Sequence, residues 1–104
     1  AYGYVPDCGS VSQMLFNATK RKPYFIGKPE PAIALLAIEK AGYQPEDAVL
    51  IGDRIYTDIA CGVNAGITTV LVFSGETTRA DWEKSEIKPA FTCQSIADIY
   101  EMIK

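Results

Sequence analysis

The stretch that decides the fold spans residues 48–58 and reads Ala-Val-Leu-Ile-Gly-Asp-Arg-Ile-Tyr-Thr-Asp. Its aliphatic start predicts a buried strand, and the Gly-Asp that follows predicts a turn at the end of that strand. In open α/β sheets, ligands bind beyond the carboxyl ends of the strands, which is where Asp53 and Asp58 would lie. Because Mg²⁺ takes one or two carboxylates and fills its other positions with water and phosphate, these two residues are candidate metal ligands.

Strands and helices alternate on both sides of this stretch. Strands are predicted at residues 24–26, 48–51, 67–73 and 90–93. Helices are predicted from Ser10 to Lys20, from Pro31 to Gly42, from Thr57 or Asp58 to Gly66, from Arg79 to Ser85, and after Ser95, which forms a capping-box pattern with Asp98. This alternation is typical of right-handed βαβ units, so the predicted fold class is α/β with a parallel sheet.

The positions of Lys28 and Asp53 make a geometric prediction. Each follows closely on a predicted strand, and the carboxyl ends of parallel strands lie at the same edge of a sheet. Both side chains can therefore reach one pocket. If Asp53 and Asp58 lie about 6 Å apart at an effective dielectric constant of about 20, their repulsion is on the order of 3 kcal/mol. A positive charge should lie beside them, and Lys28 or a divalent cation can supply it.

Each of these residues also has a simpler interpretation. Asp58 can be a helix cap or a turn former without any metal. Lys28 can be a solvated surface lysine. Tyr56, inside the acidic turn, can be exposed beside the pocket or folded over it, and Trp82 is expected to pack in the core.

Composition limits the classes of function. The 104 residues are 48% hydrophobic with a formal net charge of −3, which is typical of one globular domain and gives no basic surface for nucleic acid or an anionic membrane. No apolar run approaches the roughly 20 residues that span a bilayer. The absence of histidine excludes histidine bases and ligands among these residues. The three widely spaced cysteines, Cys8, Cys61 and Cys93, predict free thiols and a reducing cytoplasm.

Four motifs together resemble the C-terminal half of phosphatases of the haloacid dehalogenase (HAD) superfamily. They are Gly-Lys-Pro-Glu-Pro at 27–31, Val-Leu-Ile-Gly-Asp-Arg-Ile-Tyr-Thr-Asp-Ile at 49–59, Gly-Val-Asn-Ala-Gly-Ile at 62–67 and Ser-Gly at 74–75. The resemblance is strongest to the NagD-like, p-nitrophenylphosphatase-like branch and covers nearly the whole chain. It implies that residues 1–22 end the cap and return to the core, and that residues 23–104 form the C-terminal half of a three-layer, Rossmann-like core.

The resemblance also implies a role for each candidate residue. Lys28 matches the lysine that neutralises the nucleophile and the transferring phosphoryl group, so it is the candidate catalytic residue. Asp53 matches the aspartate that binds Mg²⁺ directly, whereas Asp58 matches the second acidic residue, which supports the ion or its waters. The implied reaction is the hydrolysis of a phosphoric monoester, a small phosphorylated metabolite, through an aspartyl-phosphate.

The sequence lacks one part of the family pattern. Members begin their core with an Asp-x-Asp segment that supplies the nucleophile, and no Asp-x-Asp occurs in these residues. We therefore expect this chain to be the C-terminal part of a longer enzyme and to be inactive alone. Its expected partner is the N-terminal remainder of the same protein, which would cover an otherwise unpaired, apolar edge of the sheet.

Two other classes of function stay open at this point. Receiver domains of signalling proteins also combine aspartates, Mg²⁺ and a lysine at strand ends, but their acidic residues precede the lysine, the reverse of the order here. A non-catalytic association module would instead use the unpaired edge to bind another chain, including a second copy of itself in a homo-oligomer.

Overall fold

The structure is a computed structural model that describes residues 4–104, so residues 1–3 of the predicted cap segment lie outside the described residues. The helices within the described range are α1 (Cys8–Thr19), α2 (Ala32–Ala41), α3 (Ala60–Ala65), α4 (Arg79–Lys84) and α5 (Ile96–Ile103). The strands are β1 (Val49–Gly52), β2 (Thr68–Val72) and β3 (Phe91–Cys93). A 3₁₀ turn at Pro45–Asp47 precedes β1, and a π-helical turn at Ile55–Ile59 leads into α3.

The three strands form one parallel sheet in the order β1-β2-β3. Ile51 of β1 lies opposite Val70 of β2, and Val72 lies opposite Cys93 of β3. Parallel neighbours need crossover connections, and α3 and α4 lie in the two connections between successive strands. The prediction of an α/β fold with a parallel sheet is confirmed.

Helices cover both faces of the sheet. Gly62 of α3 lies so close to β2 that a Cβ there would collide with the methyl group of Thr69. Successive residues of a strand point to opposite faces, and Val70, the next residue, lines a groove together with Ile99 and Met102 of α5. The arrangement is therefore helix, sheet, helix, as expected of a three-layer fold.

The core lies beside the turn that follows β1. Ile59 and Leu71 are fully buried, and Ile55 is 6% exposed. Three partly buried side chains pack against this cluster: Phe73, Trp82 and Ile87. The rings of Phe73 and Trp82 meet edge to face with their centroids 6.0 Å apart, which confirms that Trp82 is a packing residue.

Strand β2 shows that a buried strand can be predicted from a continuous apolar run. Residues 69–72 of β2 are all buried, which confirms the prediction that the apolar run at 67–73 is covered on both faces. Strand β1 differs, because its burial alternates between exposed and partly buried positions. Its outward residues, Val49 and Ile51, are 57% and 39% exposed.

Most element boundaries lie within one or two residues of the predicted ones. The closing helix begins after Ser95, whose backbone N–H donates to Asp98 Oδ2 at 2.8 Å, so this capping-box contact is confirmed. Gly42 and Gly66 end α2 and α3 in the left-handed conformation, as predicted. Within residues 4–104, no helix combines the length and the apolar character needed to cross a bilayer.

The strand predicted at residues 24–26 is wrong. These residues are exposed and belong to no regular element, and they join no ladder of the described sheet. Three apolar residues predict a strand only when a neighbouring strand can accept their hydrogen bonds. In the described part of the chain, the sheet has no strand beside them.

Two helix starts also differ from the prediction. Asp7 caps α1 in place of Ser10, because Asp7 Oδ1 accepts the backbone N–H of Ser10 at 2.9 Å. The helical path after Asp53 begins at Ile55, earlier than Thr57 or Asp58, and Asp58 turns its carboxylate back to the N–H of Arg54. The sequence contained a cap-forming residue in both places but did not show which backbone group it would bind.

Candidate active site

Asp53 lies directly after β1 and is held by the loop that follows β2. Its Oδ2 accepts the backbone N–H of Glu76 at 2.8 Å, and its carbonyl oxygen accepts the N–H of Thr77 at 3.1 Å. Gly75 lies against the same carboxylate, and a Cβ at that position would be 2.5 Å from Asp53 Cγ. Only a glycine fits there, so the loop is shaped around Asp53.

A polar network fixes this loop from the solvent side. Glu76 accepts from Arg54 Nε at 2.5 Å and from the Tyr56 hydroxyl at 2.6 Å, one on each carboxylate oxygen. The hydrogen bond to Glu76 raises the pKa of Tyr56, and the same carboxylate raises the pKa of Arg54. Tyr56 is therefore exposed and turned towards Glu76, which answers the question that the sequence left open.

Asp58 is buried behind this turn and uses both carboxylate oxygens. Oδ2 accepts the backbone N–H of Arg54 at 3.1 Å, and Oδ1 accepts from Lys28 Nζ at 2.5 Å. Gly52 lies against it, since a Cβ at Gly52 would be 2.6 Å from Asp58 Cγ. Asp58 thus stabilises the local turn, as its simpler interpretation requires, and also binds the candidate lysine.

Lys28 reaches the acidic turn from a distant part of the sequence. Its side chain is 51% exposed, whereas that of Asp58 is 9% exposed, so the ion pair lies at the boundary between solvent and core. The prediction that Lys28 lies beside the acidic turn is confirmed, and Lys28 is also about half exposed, as a solvated surface lysine is. The peptide bond between Lys28 and Pro29 is cis.

Two further side chains attach the lysine loop, residues 27–31, to α3. Asn64 Nδ2 donates to the carbonyl oxygen of Pro29 at 3.1 Å, and Cys61 Sγ donates to that of Glu30 at 3.2 Å. Cys61 is fully buried, and burial raises the pKa of its thiol. Sequence reasoning assigned no such role to either residue. Their spacing from Asp58, three and six residues on, is the signal that could have found them.

The donor chemistry at this sheet edge fits Mg²⁺ in part. Asp53 offers its Oδ1, and the lone pairs of Asp58 left over from its two hydrogen bonds can accept from a metal-bound water. Within residues 4–104, no group of three or more His, Cys, Asp or Glu side chains is arranged to hold a metal.

An open cavity of about 590 Å³ lies beside Lys28. Its wall is formed by residues 7–9, at the start of α1, and by residues 24–30, which lead into the lysine loop. Much of this wall is apolar, and Lys28 is its one cationic side chain among the described lining residues. A small molecule with an anionic group could therefore orient that group towards Lys28.

Comparison with known proteins finds relatives that are named as phosphatases. The model of a family described as HAD-hydrolase-like matches residues 25–99. Dihydroxyacetone phosphatase of Corynebacterium glutamicum is 40% identical over 97 residues, which are 93% of this chain and 35% of that protein. Ribonucleotide monophosphatase NagD of Escherichia coli is 35% identical over 97 residues, again 93% of this chain, and 39% of that protein.

Solved structures give the same result for the fold. The crystal structure of 4-nitrophenylphosphatase from Thermotoga maritima superposes with a TM-score of 0.88 at 40% identity, over 96% of this chain and 39% of that one. NagD from Escherichia coli superposes with a TM-score of 0.84 at 34% identity. The chain therefore spans well under half the length of the relatives that it matches.

Proposed function

This chain belongs to the HAD-hydrolase-like family, and on that premise we propose that it is the lysine- and metal-bearing part of a Mg²⁺-dependent phosphatase. The observation that carries the proposal is the ion pair between Lys28 and Asp58, formed next to Asp53 at the carboxyl end of β1. Phosphoryl transfer needs positive charge around the phosphate. The Lys28 ammonium supplies such a charge, and the two carboxylates can hold the lysine and a divalent cation. The phosphatase relatives support this class of reaction.

The proposed reaction hydrolyses a phosphoric monoester in two steps. An aspartate outside these 104 residues attacks phosphorus, the ester oxygen leaves and takes up a proton, and an aspartyl-phosphate forms. Water then attacks the phosphorus and releases inorganic phosphate and the free aspartate. Lys28 acts in both steps by holding its positive charge beside the oxygens on which negative charge develops.

The two aspartates of this chain take different roles. Asp53 would hold Mg²⁺ directly, and its Oδ1 is the carboxylate oxygen that does not accept the Glu76 N–H. Asp58 orients Lys28 and would support the hydrated ion, since each of its oxygens accepts one hydrogen bond and keeps a further lone pair. When bound, Mg²⁺ supplies charge neutralisation and polarises the phosphoryl oxygens.

The substrate class is a small phosphorylated metabolite. The relatives are named for different phosphates: dihydroxyacetone phosphatase, ribonucleotide monophosphatase and acid sugar phosphatase. Their common feature is the phosphoric monoester group. The cavity beside Lys28 is open to solvent, and we infer that residues outside these 104 select the shape of the rest of the metabolite.

The partner of this chain is the N-terminal remainder of the same protein. Strand β1 has no neighbour on its outer edge within the described residues, and its Val49 and Ile51 are exposed on one face. An apolar strand edge of this kind is a pairing site. We place the nucleophile on the strand that pairs there, next to Asp53. The three free thiols support a reducing, cytoplasmic location for the complete enzyme.

Substitution of the lysine tests the proposed function. In the complete enzyme, Lys28→Ala is expected to lower turnover of 4-nitrophenyl phosphate by about 10² to 10³, as the loss of one preorganised stabilising group typically does. Lys40→Ala, at an exposed site in the last turn of α2, is the matched control and should leave turnover unchanged. Equal turnover in both variants would exclude Lys28 from the mechanism.

The activity of the chain alone provides an independent test. Residues 1–104 in isolation should release no phosphate above the uncatalysed rate, because the nucleophile is supplied from outside. Release at a rate near that of the complete enzyme would overturn the division of the site proposed here.

The exposed β1 edge also favours a second candidate, a self-associating module. Light scattering that finds only a compact monomer would count against that candidate.

A further inference from the structure

The lysine loop is attached to the π-helical turn and to α3 by three side-chain contacts. Asp58 binds Lys28, Cys61 binds the carbonyl of Glu30, and Asn64 binds the carbonyl of Pro29. The three side chains on the helical segment are spaced by three residues. Cys61 and Asn64 both lie in α3, where a spacing of three residues at about 100° each places their side chains about 60° apart on one face, and Asp58 precedes them in the π-helical turn. Three consecutive loop residues therefore meet the π-helical turn and α3.

These contacts are the main tertiary attachment of the loop. Residues 21–30 are all exposed, and the segment before the loop joins no strand of the described sheet. Its backbone hydrogen bonds are local, from Glu30 N–H to Gly27 and from Ile33 N–H to Ile26. A loop without burial or ladder hydrogen bonds has little to hold it in one conformation. The side chains of the π-helical turn and α3 must therefore supply that order.

The geometry points to Asn64 and Cys61 as positioning residues that keep the Lys28 ammonium on Asp58. Neither side chain forms a hydrogen bond with Lys28 itself, and both act by fixing the two residues that follow it. The ion pair alone does not hold the Lys28 ammonium in one place, because a half-exposed lysine loses side-chain entropy when it is fixed. The importance of this positioning for catalysis rests on the proposed function, but the positioning itself is a property of the fold.

The chemical character of the two contacts suits this role. Asn64 is exposed and its amide is a strong donor, so its contact depends on geometry at the surface. Cys61 is fully buried, and burial keeps its thiol protonated and able to donate. Serine at position 61 would preserve a donor of similar size, whereas alanine would remove it. These two substitutions separate the hydrogen bond from the packing of the site.

Competitive acetylation of the full chain with trace acetic anhydride tests the inference. The measured quantity is the labelling of Lys28 relative to Lys40, an exposed lysine on α2, determined by mass spectrometry. In the wild type, the ion pair with Asp58 holds the Lys28 ammonium against the acidic turn and limits its access to the reagent. Asn64→Ala and Cys61→Ala are each expected to raise the ratio by about two- to fivefold, the effect of one net hydrogen bond. Cys61→Ser should restore the wild-type ratio.

Two controls define the outcomes. Asp58→Asn removes the ion pair and sets the upper limit of the ratio, whereas Val63→Ala, next to Asn64 on an exposed position, should leave the ratio unchanged. Circular dichroism verifies that each variant is folded. If Asn64→Ala unfolds the chain, Asn64→Asp is measured instead, since it has the same shape but no N–H donor.

The inference is overturned if the ratio stays at the wild-type value in both the Asn64 and Cys61→Ala variants. It is equally overturned if Asp58→Asn fails to raise the ratio, because Lys28 would then not be held by Asp58. The labelling requires no catalysis. A complete enzyme that keeps full turnover after Lys28→Ala would therefore refute the proposed function and leave the labelling result standing.

Discussion

The aspartate turn, residues 52–58, and the lysine loop, residues 27–31, meet at one ion pair but are held in place by different means. The aspartate turn follows a sheet strand and packs on the core, with Ile55 and the adjoining Ile59 buried. Every residue of the lysine loop up to Glu30 is exposed, and the loop depends on three side-chain contacts with the π-helical turn and α3.

This difference teaches which kind of change each half of the site can tolerate. The aspartate turn should withstand the loss of a surface contact but not a change in the core or in the close packing of its glycines. The lysine loop should withstand changes in side-chain volume but not the loss of a hydrogen bond. A substitution that destabilised both regions to the same extent would show that they form one cooperative unit.

The largest expected effect comes from the core beneath the aspartate turn. Ile59→Ala should lower the free energy of unfolding by about 2 to 5 kcal/mol, because it leaves a cavity at a fully buried position. Ile26→Ala, before the lysine loop at a 51% exposed position, should change it by less than about 0.5 kcal/mol. Urea unfolding followed by circular dichroism measures both. Similar losses in the two variants would mean that residues 24–26 are buried in solution.

The glycines give the next largest contrast. Gly52→Ala should destabilise the chain by about 1 to 3 kcal/mol, because the new methyl group would collide with the buried Asp58. Gly27→Ala, in the lysine loop, has open space around the new Cβ and should be tolerated. Thermal unfolding of the two variants provides the measurement. A stable Gly52→Ala variant would show that Asp58 can move aside.

The aspartate half of the site was predictable because its signals are local and strong. An aliphatic run ending in Gly-Asp is sufficient to place a strand and a turn, and the apolar run of β2 was covered on both faces as expected. The pairing of Lys28 with the acidic turn was predicted from a strand at residues 24–26, so the outcome is confirmed although the described sheet does not contain that strand.

The remaining features depend on tertiary partners that the sequence does not identify. Residues 24–26 have strand-like composition but no neighbouring strand in the described structure. The strand predicted there from composition is therefore wrong. The contacts of Glu76 with Arg54 and Tyr56 join loops after two different strands. No local sequence pattern predicts these contacts. Family resemblance supplied the roles of Lys28, Asp53 and Asp58, and those roles stay predictions until the complete enzyme is tested.

A smaller effect is expected from the polar network on the solvent side of Asp53. Glu76→Ala removes the anchor for Arg54 and Tyr56, so the loop that donates a backbone N–H to Asp53 should become looser. In the complete enzyme, Mg²⁺ affinity measured by calorimetry should fall by about two- to fivefold, since exposed ion pairs contribute little. Glu83→Ala, on the exposed face of α4, is the matched control. Unchanged affinity would show that the backbone alone orients Asp53.

The smallest expected effect is a pH dependence at Cys61, which joins the two halves. Burial raises the pKa of its thiol above the ordinary value of 9.0, so the folded state holds this proton more tightly than the unfolded state. Its contribution to stability is therefore complete below pH 9 and is lost as the pH rises through the higher pKa of the folded state.

Substitution with serine isolates this contribution from the other groups that titrate at high pH. Cys61→Ser keeps a donor for the Glu30 carbonyl but has no thiol to ionise. The free energy of unfolding of the wild type should fall relative to that of Cys61→Ser between pH 8 and about pH 11, as the thiol of the unfolded chain ionises first. If the free energies of unfolding of the two proteins change with pH in parallel, solvent reaches Cys61 in the folded chain. The lysine loop would then not shield its thiol from water.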